Sequence, residues 1–346
     1  MTEYNLCILP GDGIGPEVIQ EAVRVLNTLA ETSNEIIEFN YTYGDIGYGA
    51  YQKLGNPLPE ETLEKVKTAD ATLFGAVTTP PNIPNYSSPI LGLRKHFDLF
   101  VNLRPCVSMP HPTSKDNINI TIFRENTEGL YSKVEHVDKD ENGVVTRAVT
   151  ERIITRKSSE RIIRHAFEYA KTNNISKVTV VHKANVLRET CGLFRVVAQE
   201  VAQNYQDIEM QEMLVDNCAM QLIRAPEQFQ VIVTTNLFGD ILSDEASMLV
   251  GGLGMACSGN IGTDTAIFEP VHGSAPDITG QEKANPIATL LSAKLMLDHL
   301  GLTNEANKLE NAIKKAMQNN MLTPDLGGNL TTAQVTDNII RILKES

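Results

Sequence analysis

The sequence predicts an α/β fold, on three observations. Short apolar runs at 5–9, 71–74, 118–123, 177–181 and 231–235 read as strands. Between them stand stretches with apolar residues at helical spacing, such as 159–170 (Ile162, Ile163, Ala166, Phe167, Ala170) and 192–202. The composition, 42% hydrophobic and 21% charged, is that of a globular chain. Strand and helix signals in alternation favour a sheet with helices packed on it. The length, 346 residues, suggests about two domains.

The first strand ends in the turn Pro10-Gly11-Asp12-Gly13, and a helix opens at Pro16, where a fixed φ suits a first turn. Val18, Ile19, Ala22, Val23, Leu26 and Leu29 keep its apolar face. The glycines invite a dinucleotide reading, but the pattern is GxGxGP, with Pro16 where the fingerprint needs glycine. No acidic residue completes the unit about 20 positions on. A tight turn is therefore preferred to a standard Rossmann site. Further along, 134–155 alternates charged and β-branched residues around Asn142-Gly143, a hairpin signal. This arm is too polar to bury alone and reads as a surface hairpin or as a strand pair docking on a second subunit.

Composition excludes several classes. With 30 basic and 43 acidic residues the net charge is -13, so the basic footprint of a nucleic-acid binder is missing. Cys7, Cys106, Cys191, Cys218 and Cys257 are scattered and never form CxxC, which argues against a disulfide framework or a zinc site and suits a reducing, cytoplasmic setting. No apolar run approaches the roughly 18 residues of a membrane span, and the opening residues carry no export signal.

Four sets of residues are candidates for chemistry. Arg94, Arg104 and Arg124 lie beside strand-like sequence, with Ser87 and Ser88 upstream of the first. Each guanidinium is a fixed fork suited to a carboxylate, and three together suggest an anion pocket; taken singly, each is as well read as half of a surface ion pair. Asp240 and Asp244 follow the strand 231–235; with a helix starting near Gly239 they share one face. Two carboxylates on adjacent turns repel, so a hard cation such as Mg2+ or Mn2+ would compensate them; a solvated helix start is the plainer reading. Lys183, in His182-Lys183-Ala184-Asn185, ends the strand 177–181; partly desolvated and near a metal it would exchange protons near neutrality, while a solvent-facing lysine is the plainer reading. Tyr131 closes the segment Asn126-Thr127-Glu128-Gly129-Leu130-Tyr131, where by itself a tyrosine is more often packing than catalysis.

Together GDGIGPE, SSPILGLRK, LRP, RENTEGLY, HKANVL, GDILSD, GGLG, EPVHGSAPD and ANP, in this order along nearly the whole chain, resemble the β-decarboxylating isocitrate, homoisocitrate and 3-isopropylmalate dehydrogenases. The resemblance implies a two-domain fold of that family, with 1–98 plus 251–346 as the first, cofactor-side domain and 99–250 as the second, metal and dimerisation domain. It makes the 134–155 hairpin an interlocking arm of a homodimer, or of a higher oligomer, with shared active sites. It assigns Tyr131 and Lys183 to catalysis, and Ser88, Arg94, Arg104, Arg124 and Asn185 to the small-molecule substrate. Asp240 and Asp244 match metal ligands, and Asp216 the ligand that, like Lys183, reaches across to the other subunit. Thr78, Asn185, Glu269, His272, Gly273, Ser274, Ala275, Asp277, Ile278 and Asn285 match cofactor-binding positions. Asp277 would accept from the ribose hydroxyls and repel a 2′-phosphate, and relatives using NADP carry Lys and Tyr where Asp277 and Ile278 stand, so the resemblance implies NAD.

The substrate is read from smaller signals. Ser88 matches the serine that isocitrate enzymes use on the distal carboxylate, while Ile90 stands where they often place asparagine. The common bacterial isopropylmalate enzymes carry a glutamate near the position of Ser87, absent here, although Ile90-Leu91 would suit an isopropyl group. SSPI and TPDLGG look most like homoisocitrate enzymes, whereas FDLF and RPCVS are similar to NAD-linked isocitrate enzymes. Isocitrate and homoisocitrate therefore rank ahead of 3-isopropylmalate. A non-catalytic regulatory subunit and a nucleotide- or anion-binding module are the alternatives of other classes.

Overall fold

In the computed structural model, which describes residues 2–83 and 86–345, the apolar run opening the sequence is covered on both faces: Leu6, Cys7, Ile8 and Leu9 are each 0% exposed. A strand with helices on both sides reads as a continuous apolar run rather than an alternating one. It belongs to the first of two compact units, Met1–Leu99 with Ser108–Asp116 and Ser247–Ser346; the second is Phe100–Val107 with Asn117–Ala246.

The chain enters the first unit through β1 (Thr2–Gly11), α1 (Gly15–Thr32), β2 (Ile37–Tyr43), α2 (Tyr48–Leu54), α3 (Glu60–Thr68), β3 (Ala71–Ala76) and α4 (Pro89–His96). It then forms the second unit: β4 (Val101–Val107), β5 (Asn119–Glu125), β6 (Glu135–Lys139), β7 (Val145–Thr150), α5 (Arg156–Thr172), β8 (Lys177–His182), α6 (Thr190–Ala202), β9 (Glu209–Leu214), α7 (Val215–Arg224), β10 (Val231–Thr234) and α8 (Asn236–Ser247). It returns to the first through β11 (Cys257–Ile261), β12 (Ala266–Pro270), α9 (Ile287–His299), α10 (Thr303–Gln318) and α11 (Thr332–Lys344).

In the first unit the strands run in the order β2-β1-β3-β12-β11, parallel except for β11. Leu6 and Ile8 share one core with Leu26 of α1, Leu290 of α9, Ile313 of α10 and Ile339 of α11. Cys7 and Leu9, pointing the other way, pack with Leu63 and Val66 of α3, Phe74 and Leu93. Each such fully buried leucine or isoleucine contributes roughly 1.5–3 kcal/mol. The glycines of the opening turn serve close backbone approach. Gly11, at φ +76°, would place a Cβ 1.9 Å from the Ala76 carbonyl oxygen, and Gly13, at φ +61°, one 2.0 Å from that of Ser274.

The second unit orders its strands β4-β5-β10-β8-β9, with β4 antiparallel to β5 and the other pairs parallel. Thr234 of β10 stands opposite Arg124 of β5 on one side and Val181 of β8 on the other. The carboxyl ends of three parallel strands thus lie side by side, the place where open α/β sheets gather their ligands. The helix after β10 starts at Asn236 rather than near Gly239. Gly239 is already in its first turn, donating to the Thr235 carbonyl at 2.9 Å. Glycine's poor helix propensity hides this start in the sequence, yet Asp240 and Asp244 still share a face. The hairpin lies as the Asn-Gly signal predicts, with Gly143 at φ +78° and β6 wholly exposed. Val137, Val144 and Val145 on this arm are 49%, 59% and 52% exposed.

All five cysteines are free and buried, and among the described residues no helix is long and apolar enough to cross a membrane.

Candidate active site

In the second unit a charged cluster forms where β5 meets α8. Arg124 is 1% exposed, and a buried guanidinium is costly unless its donors are taken up. Its Nε and Nη2 donate to Asn236 Oδ1 at 3.1 and 2.8 Å, and its Nη1 donates to Asp240. Gly239 makes room for this, since a Cβ there would come within 2.6 Å of the Arg124 side chain. Arg104, on β4, donates through Nε to Asn102 Oδ1 at 2.7 Å and through Nη1 to Ser243 Oγ at 2.6 Å and Asp244 Oδ1 at 2.9 Å. Its Nη2 lies 3.8 Å from Asp240 Oδ1.

The two aspartates four residues apart are therefore compensated within the chain by two guanidiniums. The sequence alone offered a cation or a solvated helix start for this pair and did not show the two arginines. The carboxylates remain open on one side, with side-chain exposures of 33% for Asp240 and 55% for Asp244. Tyr131 completes the cluster: its hydroxyl donates to Asp240 Oδ2 at 2.6 Å, and the Arg124 guanidinium lies over its ring, 5.1 Å from the centroid. Burial, then the bond to Asp240, pushes the Tyr131 hydroxyl above its ordinary pKa, against the pull of Arg124. The hydroxyl thus keeps its proton.

A second pair forms at the ends of β8 and β9 in the same unit. Lys183 Nζ donates to Asp216 Oδ1 at 2.5 Å, which holds the Asp216 carboxyl below its usual range. Asp216 stands in the first turn of α7 with its side chain 65% exposed. Asn185 is exposed in the turn after β8. Among the described residues no three His, Cys, Asp or Glu side chains come together as a metal set, so one chain offers at most the pair Asp240 and Asp244.

The first unit holds the remaining positions. Arg94 donates through Nε to Asn260 Oδ1 at 3.0 Å and through Nη2 to Glu269 Oε1 at 3.3 Å, joining a position matched to substrate with one matched to cofactor. Ser88 caps α4 with its carbonyl, which accepts from Leu91 and Gly92. Thr78 Oγ1 and Ser274 Oγ lie 2.6 Å apart, and Ser274 also accepts the Ile14 N–H through its carbonyl. The glycine turn is thereby tied to the loop from His272 to Ile278. Gly273 and Asp277 are exposed there, Ala275 holds φ +38°, and Ile278 packs on Ile14 and Val18. His272 Nε2 is buried with no hydrogen-bond partner, and burial pushes its imidazole pKa down. Asn285 donates to Asp325 Oδ2 at 3.0 Å.

Sequence reading missed the residues that hold these groups. Asn236, Ser243 and Asn102 fix the two arginines of the second unit, and Asn260 fixes Arg94. Asp12 accepts the backbone N–H groups of Tyr48, Gly49 and Thr78 at 2.7–2.9 Å and so holds a turn together. Asn236 and Ser243 stand four before and three after Asp240 on the same helix, a spacing that marks them once the aspartates are singled out.

The profile of the isocitrate/isopropylmalate dehydrogenase family matches residues 5–339. The chain is 49% identical over 354 residues to the homoisocitrate dehydrogenase of Methanocaldococcus jannaschii, covering 99% of this chain and 98% of that one. It is 46% identical over 346 residues to the 3-isopropylmalate dehydrogenase of Methanothermobacter thermautotrophicus, with both chains covered in full. The crystal structure of isocitrate dehydrogenase from Methylococcus capsulatus superposes with a TM-score of 0.92 at 40% identity, over 99% of each chain.

Proposed function

Because the chain belongs to the isocitrate/isopropylmalate dehydrogenase family, we propose that it uses NAD+ and Mg2+ or Mn2+ to oxidise a 2-hydroxy acid bearing a 3-carboxylate, which leaves as CO2. The observation that carries this reading is the cluster of Arg104, Arg124, Tyr131, Asp240 and Asp244. Two guanidiniums balance two carboxylates, so a divalent cation and the two substrate carboxylates nearest it can enter together without leaving net charge buried. Hard oxygen donors on one helix face suit Mg2+ or Mn2+. When bound, the cation supplies Lewis acidity at the C2 oxygen and the nicotinamide supplies the hydride acceptor.

The chain's own residues do the rest. Arg94, Arg104 and Arg124 hold the substrate carboxylates, with Ser88 and Asn185 as further polar contacts. Lys183 takes the proton of the C2 hydroxyl. Tyr131, which the site keeps protonated, returns a proton to carbon after CO2 departs. Asp216 and Lys183 act in the site of a second copy, Asp216 as the third metal ligand. Support for that copy comes from α7 and α8, where Met220, Ile223 and Ile241 are 52%, 65% and 58% exposed, an apolar surface that a partner would cover.

For the cofactor, Thr78, Glu269 and the loop residues His272, Gly273, Ser274, Ala275, Asp277 and Ile278, with Asn285, form the proposed NAD+ contacts. The orphaned His272 Nε2 and the exposed Asp277 are free to meet them. Asp277→Lys with Ile278→Tyr is expected to shift preference towards NADP+; an unchanged NAD+/NADP+ ratio of kcat/KM would refute the loop assignment.

Homoisocitrate and isocitrate are the substrates proposed, on SSPI, TPDLGG and Ser88. A second reading, 3-isopropylmalate, is favoured by Ile90, in the first turn of α4 and half-buried against the core. The deciding experiment is NADH formation at 340 nm by the purified chain on each acid with Mg2+. The highest kcat/KM is expected on homoisocitrate or isocitrate. Faster turnover of 3-isopropylmalate reverses the ranking, and silence with all three points to a non-catalytic subunit or binding module.

A further inference from the structure

A proton-accepting lysine works only if its Nζ is aimed, and the side chain best placed to aim Lys183 is the one before it. His182 is the last residue of β8 and is 5% exposed. Its Nδ1 accepts the Ala184 N–H at 3.2 Å. A backbone amide donates only to an unprotonated ring nitrogen, so the imidazole is neutral with its hydrogen on Nε2. That Nε2 is buried with no hydrogen-bond partner, 3.6 Å from Glu212 Oε2 on β9. Glu212 is itself held by Arg195 Nε and Gln199 Nε2, both at 2.6 Å. Burial pushes the His182 pKa down, against Glu212 and with Arg195. Burial, outweighing Glu212, thus agrees with the neutral ring that the Ala184 bond requires.

The ring therefore bridges the strand that ends just before Lys183 and the strand that runs on into Asp216. On its Nδ1 side it fixes the turn after β8, where the Lys183 carbonyl accepts from Val186 and Leu187 at 3.1 and 2.8 Å. On its Nε2 side it rests against β9, whose continuation presents Asp216 to Lys183 at 2.5 Å. We propose that His182 is a positioning residue that sets the direction of Lys183 through the Ala184 N–H and the β9 contact. This rests on the reading of Lys183 as the proton acceptor.

The experiment compares three variants with Mg2+, NAD+ and homoisocitrate, or whichever of the three acids is turned over best. In His182→Asn the side-chain Oδ1 takes the place of Nδ1 and still accepts from Ala184. In His182→Gln the amide sits further out, and in His182→Leu no acceptor remains. Misplacing a catalytic group by about an ångström costs on the order of a hundredfold in rate. The Leu and Gln variants should therefore lose about ten- to a hundredfold in kcat with KM little changed, and the Asn variant should recover most of it. Should the Leu variant fail to fold, the Asn and Gln pair carries the comparison. Equal rates for Asn and Gln, or a Leu variant within about twofold of the parent, would overturn the proposal. A readout independent of turnover is the imidazole 15N spectrum, expected to show an unprotonated Nδ1 at neutral pH; a protonated one overturns it as well. Lys183→Met measured in parallel separates the two layers. Undiminished turnover by that variant removes the role of Lys183, whereas an inactive one beside an unaffected His182→Leu removes only that of His182.

Discussion

The charged cluster of the second unit and the glycine turn of the first are built from opposite materials. At the cluster, side chains meet side chains: Arg124 and Arg104 are each nearly enclosed and are satisfied by Asn236, Asn102, Ser243, Asp240 and Asp244. At the turn, backbone meets backbone, and the contact exists because Gly11 and Gly13 have no Cβ to obstruct it. The difference teaches where each region is vulnerable. The cluster depends on charge balance and the turn on volume and φ.

The sharpest way to break the contrast is at Asp240. Asp240→Ala removes a carboxylate bonded to the buried Arg124, at a cost of about 3 kcal/mol in urea unfolding. It also removes a proposed metal ligand, and losing several kcal/mol of Lewis-acid assistance should lower kcat/KM about a thousandfold or more. Variant turnover close to the parent would mean that the metal is held elsewhere. Tyr131→Phe is gentler on the fold. It removes one hydroxyl bonded to Asp240, so unfolding should change by about 1 kcal/mol, while kcat should fall at least about a hundredfold for loss of the proton donor. A fall in stability without a fall in kcat would make Tyr131 a packing residue.

The turn should respond otherwise. Gly13→Ala places a Cβ 2.0 Å from the Ser274 carbonyl oxygen at a φ of +61°. It should cost about 2–3 kcal/mol and raise KM for NAD+ through the displaced loop, with kcat at saturation little affected. Gly55→Ala is the control. It has a comparable φ of +72° but nothing within 4 Å of the new Cβ, so only the left-handed backbone penalty remains, about 1 kcal/mol, with both kinetic constants unchanged. Equal effects at Gly13 and Gly55 would show that conformation, not close approach, explains the turn.

Legibility differed between the two regions in a physically sensible way. The glycine pattern already argued for a tight turn, because Pro16 breaks the dinucleotide fingerprint and no acidic residue follows about 20 positions on. The second unit's cluster was legible only as a roster of residue types. Arg124 and Asp240 are 116 positions apart, and no local pattern says that they bond. The same holds for Arg94 with Glu269, 175 apart, and for Lys183 with Asp216, 33 apart. The start of α8 was misplaced by three residues because Asn236 and Gly239 are both weak helix formers, while tertiary packing against Arg124 outweighs that preference.

What the sequence determined by itself was the alternation of strand and helix, the hairpin at Asn142-Gly143 and the ordered motifs of the family, since periodicity, turn chemistry and spacing are local properties. What only the tertiary structure decided was the pairing of charges. Thr234 must lie between Arg124 and Val181 before the ends of β5, β10 and β8 can stand together, and α8 must then lie close enough for Asp240 and Asp244 to find two arginines. Coulomb attraction acts through space, and chain folding alone determines which charges share that space.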